Sequence, residues 1–262
     1  MYDFNYHSPN NINEALDIFS SSEDPKFLAG GMTLVASMKQ RLISPTDLID
    51  LKLLNELNTI SLDGNRIILG ALCTHDQISK NKEIKSKING FSNLASGIGD
   101  PAVRIMGTIG GSLANSDPAA DWPSAILALR SNLKTNNRTI NNDDFFTGMF
   151  ETSLEDNEIL TSIEYEIPEY FKYVKFPNPA SRYAVVGVSI AKYDNEVRVA
   201  VTGASHTPFI AKEISESLSK DFSTNFPLKT IPKSELNEDI HASSEYRQNL
   251  IDVCTKHALM PN

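Results

Sequence analysis

The chain has 262 residues, 40 % of them hydrophobic, enough to bury one large core or two modest ones. A net charge of −9 and a pI near 5.1 argue against a nucleic-acid binder, which carries a basic patch or stripe. Two cysteines, Cys73 and Cys254, are too few for an iron–sulfur cluster and are not at zinc-site spacing, so they read as idle thiols of a reducing compartment. The opening Met1-Tyr2-Asp3-Phe4 lacks the basic and apolar regions of a leader, and no apolar run approaches the roughly 20 residues of a membrane span. A cytoplasmic protein is expected.

In chain order, Asn10 and Asn11 precede apolar residues at Ile12, Ala15, Leu16 and Phe19, the period of a capped helix with one core-facing stripe. Lys26-Phe27-Leu28-Ala29 reads as a buried strand running into Gly30-Gly31. Thr33 opens a helical pattern through Leu34, Met38 and Leu42, which Ser44-Pro45 stops, and Leu48-Ile49-Asp50-Leu51 reads as another strand. Residues 60–72 hold an Asp63-Gly64-Asn65 turn between two β-rich runs, the pattern of a hairpin. Helices are expected over 88–96 and 124–129. Beyond Ile167-Pro168 the texture changes to strands at 173–176, 183–193 and 197–201, then helices at 211–218 and 243–259. The first part therefore reads as α+β layers, and the second as an antiparallel sheet backed by helices, with a boundary near 168–172.

The glycines suggest chemistry at two places. Ala29-Gly30-Gly31-Met32-Thr33 sits at a strand-to-helix junction, where glycine permits a sharp turn and close approach of a ligand to the main chain. Free N–H groups at such a junction suit a pyrophosphate, with the Thr33 hydroxyl as a further donor or as the helix cap. Thr108-Ile109-Gly110-Gly111-Ser112 repeats the arrangement, and Asp121 downstream could accept from ribose hydroxyls. Two such turns suggest a ligand long enough to touch both, such as a dinucleotide. The alternatives stay open: either Gly-Gly can be a plain tight turn, and Asp117 and Asp121 can be residues at helix N-termini. Neither motif is G-x-G-x-x-G or a P-loop.

No hydrolytic constellation competes. His7, His75, His206, His241 and His257 are scattered, without a metalloprotease or nucleophile-elbow motif. His75, within Cys73-Thr74-His75-Asp76, reads as a strand-end or cap residue rather than a metal ligand or nucleophile. Trp122, the single tryptophan, reads as a packing residue.

At these residues the chain resembles the FAD-binding (medium) subunits of the molybdenum hydroxylases, a family that includes aerobic carbon monoxide dehydrogenase and has the flavin domain of xanthine dehydrogenase as a relative. The resemblance runs nearly end to end. It is carried by Phe4-x-Tyr6-x-x-Pro9, by Leu28-Ala29-Gly30-Gly31-Met32-Thr33-Leu34 with Met38-Lys39-x-Arg41-Leu42, and by Gly70-Ala71-x-x-Thr74-His75. Thr108-Ile109-Gly110-Gly111-Ser112-Leu113-Ala114 followed by Asp117-Pro118-Ala119-Ala120-Asp121 is its most specific part. Glu158-Ile159-Leu160-Thr161-Ser162-Ile163 and Asp239-Ile240-His241-Ala242-Ser243-x-x-Tyr246-Arg247 resemble later family segments.

The resemblance implies a two-subdomain FAD-binding domain over 1–168, with subdomains at about 1–55 and 56–168, and an α+β C-terminal domain with an antiparallel sheet over 169–262. It implies non-covalent FAD. The backbones of residues 28–33 and 108–112 would hold the diphosphate and ribityl region, with Asp121 on a sugar hydroxyl, Leu160 near the isoalloxazine, and Lys175 and Tyr183 beside the flavin. It implies a molybdenum-cofactor large subunit and a 2Fe–2S small subunit as partners, and a final electron acceptor among quinone, NAD and oxygen. The loop Phe176-Pro177-Asn178-Pro179-Ala180-Ser181-Arg182 lacks the basic run associated with carbon monoxide dehydrogenases, so no substrate is implied. A free-standing FAD oxidoreductase using NAD(P)H, which should carry its own nicotinamide site, and an accessory protein without flavin are the competing readings.

Overall fold

The computed structural model describes residues 1–260, and four sheets organise them. In the first, Asn5–His7 and Pro25–Leu28 flank Asp47–Asp50, all parallel. Parallel strands need crossover connections, and the helix Ile12–Ser21 supplies the first of them. The Asn11 side chain accepts from the Glu14 amide at 2.9 Å, which caps this helix, and Ala15 packs with Ile49, Leu51 and Leu54. The next helix, Leu34–Lys39, is shorter than its apolar pattern suggests. Arg41 turns into the left-handed region at φ 61°, so the chain leaves the helix before Leu42, which is exposed.

The second sheet is antiparallel and five-stranded, in the order Ile60–Asp63, Arg66–Gly70, Leu160–Glu166, Ser131–Thr135, Thr139–Asn141. The expected hairpin forms its edge, with Gly64 at φ 58° in the turn. Its central strand, Leu160–Glu166, arrives from far along the chain. Helices between residues 75 and 128 cover one face, and Ile67, Leu69, Phe91, Trp122, Ile163 and Tyr165 share their core. Three of these helices, His75–Lys80, Lys82–Lys87 and Pro101–Met106, are one or two turns long and escaped the periodicity reading, although Thr74 and Gln77 form a capping box that is legible as Thr-x-x-Gln. A small two-stranded sheet, Phe146–Gly148 with Glu151–Thr152, lies beside them.

The last large sheet is an antiparallel meander of Tyr170–Pro177, Ala184–Tyr193, Glu196–Thr202 and Phe209–Ile210. Val186, Val188, Ile190, Val199 and Val201 face the helices Lys212–Lys220 and Ser244–Leu259. Phe171, Ala191 and Ala200 on the opposite face join the core around Trp122. The Ala184–Tyr193 strand is therefore covered on both sides, which explains its nearly unbroken apolar run. The class is α+β, with antiparallel pairing dominant.

Candidate functional site

A cleft of about 620 Å³ runs between the three large sheets. That is the size of a small-molecule or cofactor site. Both glycine segments line it, together with Asp121, Leu160 and Tyr183.

The Pro25–Leu28 strand delivers the first segment. Gly31 has φ 70°, a conformation that disfavours a Cβ, and a Cβ on Gly30 would collide with the Met106 carbonyl. These glycines let the chain turn against the 106–107 backbone. None of the described residues accepts a hydrogen bond from the amides of residues 30–34. A run of free amides at the wall of a cleft is a site for an anion. The Thr33 hydroxyl does not cap the Leu34–Lys39 helix, contrary to one sequence expectation, because Thr33 is already in the right-handed helical region. Leu28 lies behind the turn, its side chain packing towards Gly31, and Ala29, Met32 and Thr33 line the cleft.

The second segment is built differently from the turn that its glycines suggest. Gly110 and Gly111 lie in the first turn of the helix Ile109–Asn115, and Thr108 caps it through the Gly111 amide at 3.1 Å. The Ile109 amide bonds to the Cys73 carbonyl at 3.0 Å and the Gly110 amide to the Ala71 carbonyl at 2.8 Å. Ser112 donates its amide to the Thr108 carbonyl at 3.0 Å. All four donors are thus consumed inside the protein. Ile109 is fully buried, while Thr108, Gly110, Gly111 and the Ser112 residue line the cleft. Glycine serves here for close approach: a Cβ at Gly110 would lie 2.5 Å from that of Ala71.

Asp121 stands at the N-terminus of the helix Trp122–Ala128, but its side chain makes no cap bond to it. Its carboxylate instead accepts from Lys175 Nζ at 2.9 Å and from the Tyr173 hydroxyl, both on the Tyr170–Pro177 strand. Burial pushes its pKa up, against the opposing pull of Lys175 and Tyr173. Lys175 also donates to the carbonyls of Gly97 and Arg182, at 3.1 and 3.0 Å. It therefore stands behind Asp121, away from the cleft wall. Tyr183 is half-exposed at the cleft edge, and its phenol is held neutral by burial and by Asp117 and Asp121 nearby. Leu160 opens the central strand of the five-stranded sheet and is buried.

Glu158 and His75 also line the cleft, and the sequence reading gave neither a role in the site. Glu158 is clamped by Arg138, with Nε–Oε1 at 2.9 Å and Nη2–Oε2 at 3.0 Å, and accepts from Thr135 and the Glu155 amide as well. These bonds hold its pKa down to about 2. His75 is 4 % exposed and is the first residue of its helix, next to the Thr74 cap, where the sequence reads as a strand end or a cap. Burial, with Arg104 adding to it, pushes its pKa down to about 4. Among the described residues no group of acidic, His and Cys side chains is arranged to hold a metal ion. Both thiols are free and buried, and burial pushes each up to about 11, so neither is a nucleophile at neutral pH.

Residues 2–170 match the family described as the FAD binding domain in molybdopterin dehydrogenase. The chain is 31 % identical to the glyceraldehyde dehydrogenase medium chain of Sulfolobus acidocaldarius, covering 98 % of this chain and 97 % of that one. It is 30 % identical to the nicotine 6-hydroxylase medium subunit of Paenarthrobacter nicotinovorans, over 97 % and 95 % of the two chains. In structure it resembles a chain of the reconstituted CO dehydrogenase from Oligotropha carboxidovorans, with a TM-score of 0.89 and 26 % identity over 98 % of this chain and 96 % of that one. The cleft is of cofactor size and has a run of free amides in its wall, and the chain belongs to the FAD-binding family of the molybdopterin dehydrogenases, as an oxidoreductase subunit whose cofactor is FAD.

Proposed function

We propose that this chain takes electrons from the iron–sulfur clusters of a small partner subunit and passes them to an external acceptor, within an assembly whose large subunit carries the molybdenum cofactor. The free amides of residues 30–34 in the cleft carry this reading, because they supply donors for a diphosphate without any reacting side chain. FAD, when bound, supplies the redox chemistry, and the protein supplies orientation and electrostatics. The names of relatives add support: several are medium chains or FAD subunits of dehydrogenases, among them those of carbon monoxide dehydrogenase and xanthine dehydrogenase. The acceptor is quinone, NAD or oxygen.

The residues divide the work as follows. Amides of Gly30, Gly31, Met32 and Thr33 hold the diphosphate. Thr108, Gly110 and Gly111 allow close approach, and Ser112 adds a hydroxyl, since the amides of that helix are engaged inside the protein. Asp121 meets a sugar hydroxyl, with Lys175 and Tyr173 fixing its position. Leu160 and Tyr183 bound the ring end of the cleft. Met32, Ile105 and Met106 are 43, 58 and 53 % exposed, and Met106 abuts Gly30, so the cleft mouth presents an apolar face for the iron–sulfur subunit. We divide the chain into a FAD-binding domain over 1–168, with subdomains at about 1–55 and 56–168, and a C-terminal domain from 169, because the sheet changes at Tyr170. Two buried, unpaired thiols fit a cytoplasmic location.

The test is stopped-flow reduction of the bound flavin, for the chain alone and with its co-purified subunits. Reduction only in the assembly, driven by the substrate of the large subunit, is the expected result. Rapid reduction of the lone chain by NADH, with steady turnover to a dye acceptor, would overturn the subunit reading in favour of a free-standing oxidoreductase.

A further inference from the structure

His75 has a defined tautomer. The Trp122 indole Nε1–H, which can only donate, bonds to His75 Nδ1 at 3.0 Å in the buried core. Nδ1 is therefore the acceptor of a neutral ring, and the proton sits on Nε2. The backbone that carries the ring is fixed as well: the His75 amide donates to the Gly107 carbonyl at 3.0 Å, and Thr74 bridges to Thr108. Nε2–H finds no acceptor among the described residues, although His75 is 96 % buried and lines the cleft. Nε2 is not itself sealed from the cleft, so in a ring that is otherwise buried this N–H is left free to meet an acceptor that enters there.

The position of that donor identifies the acceptor. A Cβ on Gly107 would lie 2.8 Å from Nε2, and a Cβ on Gly30 would collide with Met106 and lie 2.8 Å from the Gly107 Cα. Nε2 thus stands beside Gly107, whose Cα in turn abuts the turn whose amides are free. Gly107 is the residue that lets both approach, and it too lines the cleft. We propose that His75 is a binding residue whose Nε2–H, aimed by Trp122, donates a hydrogen bond to the diphosphate of FAD. This rests on the FAD-subunit reading and adds to it a neutral side-chain donor beside the backbone amides. Trp122 acts through His75 and is a positioning residue. The ring donates as a neutral group because protonating Nδ1 would break the indole bond.

The experiment uses the full chain freed of flavin, FAD as the probe, and three readouts. His75→Phe keeps the ring volume and removes both nitrogens; His75→Gln keeps a donor near Nε2 and an acceptor near Nδ1. FAD affinity, read by quenching of flavin fluorescence, should fall at least about 10-fold in His75→Phe and recover most of that in His75→Gln, the scale of a hydrogen bond to a charged group. At saturating FAD, the two phosphorus resonances of the bound cofactor should shift in His75→Phe. In the native chain, where no folding defect intervenes, the ¹⁵N and ¹H resonances of the His75 Nε2–H should move when FAD is added. Equal affinities for FAD with unmoved phosphorus signals, or a His75 Nε2–H resonance indifferent to FAD, would overturn the inference while leaving the FAD reading intact. Failure of the native chain to bind FAD would overturn that reading itself.

Discussion

Lys175 and Asp121 form an ion pair at 2.9 Å that joins the C-terminal sheet to the segment leading into the Trp122–Ala128 helix. Both side chains are nearly inaccessible, so neither charge is well solvated without the other. Lys175→Met should cost about 3–5 kcal/mol at neutral pH, since it strands a buried carboxylate. The sign of the pH dependence follows. Burial already holds the Asp121 pKa above its ordinary value, and loss of Lys175 would raise it further. A raised carboxylate pKa means stability that is complete below the unfolded value of 3.8 and lost as pH rises through the folded value. The defect should therefore be smaller at pH 4 than at pH 7 in urea unfolding. A pH-independent defect would show that Lys175 contributes packing alone.

Two adjacent glycines should behave differently. A Cβ on Gly110 would meet the backbone and side chain of Ala71, so Gly110→Ala should destabilise the fold by about 1–3 kcal/mol before any ligand is considered. A Cβ on Gly111 would meet the Thr108 hydroxyl at 2.8 Å and Ala29 at 3.5 Å, on the side of the cleft. Gly111→Val should disturb a cap worth about 1 kcal/mol, a few degrees in Tm, and yet strip most of the FAD. Thermal melts and the flavin-to-protein ratio separate the two effects. Normal flavin content in folded Gly111→Val would reduce that glycine to a helix residue.

Glu158 gives a second pH signature of opposite sign. Its carboxyl is held down to about 2 by Arg138, Thr135 and the Glu155 amide. A depressed pKa contributes stability above the unfolded value of 4.5 that is lost as pH falls towards 2. Arg138→Met should lower stability at pH 7 by roughly 1–3 kcal/mol and flatten the acid limb between about pH 4.5 and 2. Because Glu158 and Ile159 line the cleft, FAD affinity should fall along with stability. Chemical unfolding of the native chain and of Arg138→Met across that pH range checks this; an unchanged acid limb in Arg138→Met would remove Glu158 as its cause.

FAD should leave the protein quantitatively on acid precipitation. Cys73 is buried, donates its thiol to the Thr59 carbonyl, and is held protonated by burial. His75 accepts from Trp122 at one ring nitrogen and carries its proton on the other, so the neutral ring has no free lone pair to bond to a flavin. Flavin remaining on the denatured chain, seen by mass spectrometry, would contradict this.

Local pattern was enough for much of the fold. The capped helix after Asn11, the hairpin at Gly64 and the long strands after residue 168 were legible because each depends on spacing, turn chemistry and capping within a few residues. The chain also carried both glycine segments and the resemblance to FAD-binding subunits, since a close backbone approach requires glycine wherever it occurs. The short helices at 75–87 and 101–106 were missed because one or two turns hold too few residues to show a period.

Tertiary structure alone decided the rest, because the deciding contacts join distant residues. Periodicity cannot place Leu160–Glu166 between two strands that precede it, since that order is set by backbone pairing with Arg66–Gly70 and Ser131–Thr135, which leaves no local signal. The second Gly-Gly proved helical because Cys73 and Ala71 supply carbonyls for its first amides. Asp121, at the N-terminus of its helix, found side-chain partners 52 and 54 residues further on, and so is a buried, tethered carboxylate. His75 looks idle in the sequence. Only a tryptophan 47 residues away, closing on one side of its ring, leaves a single proton facing the cleft.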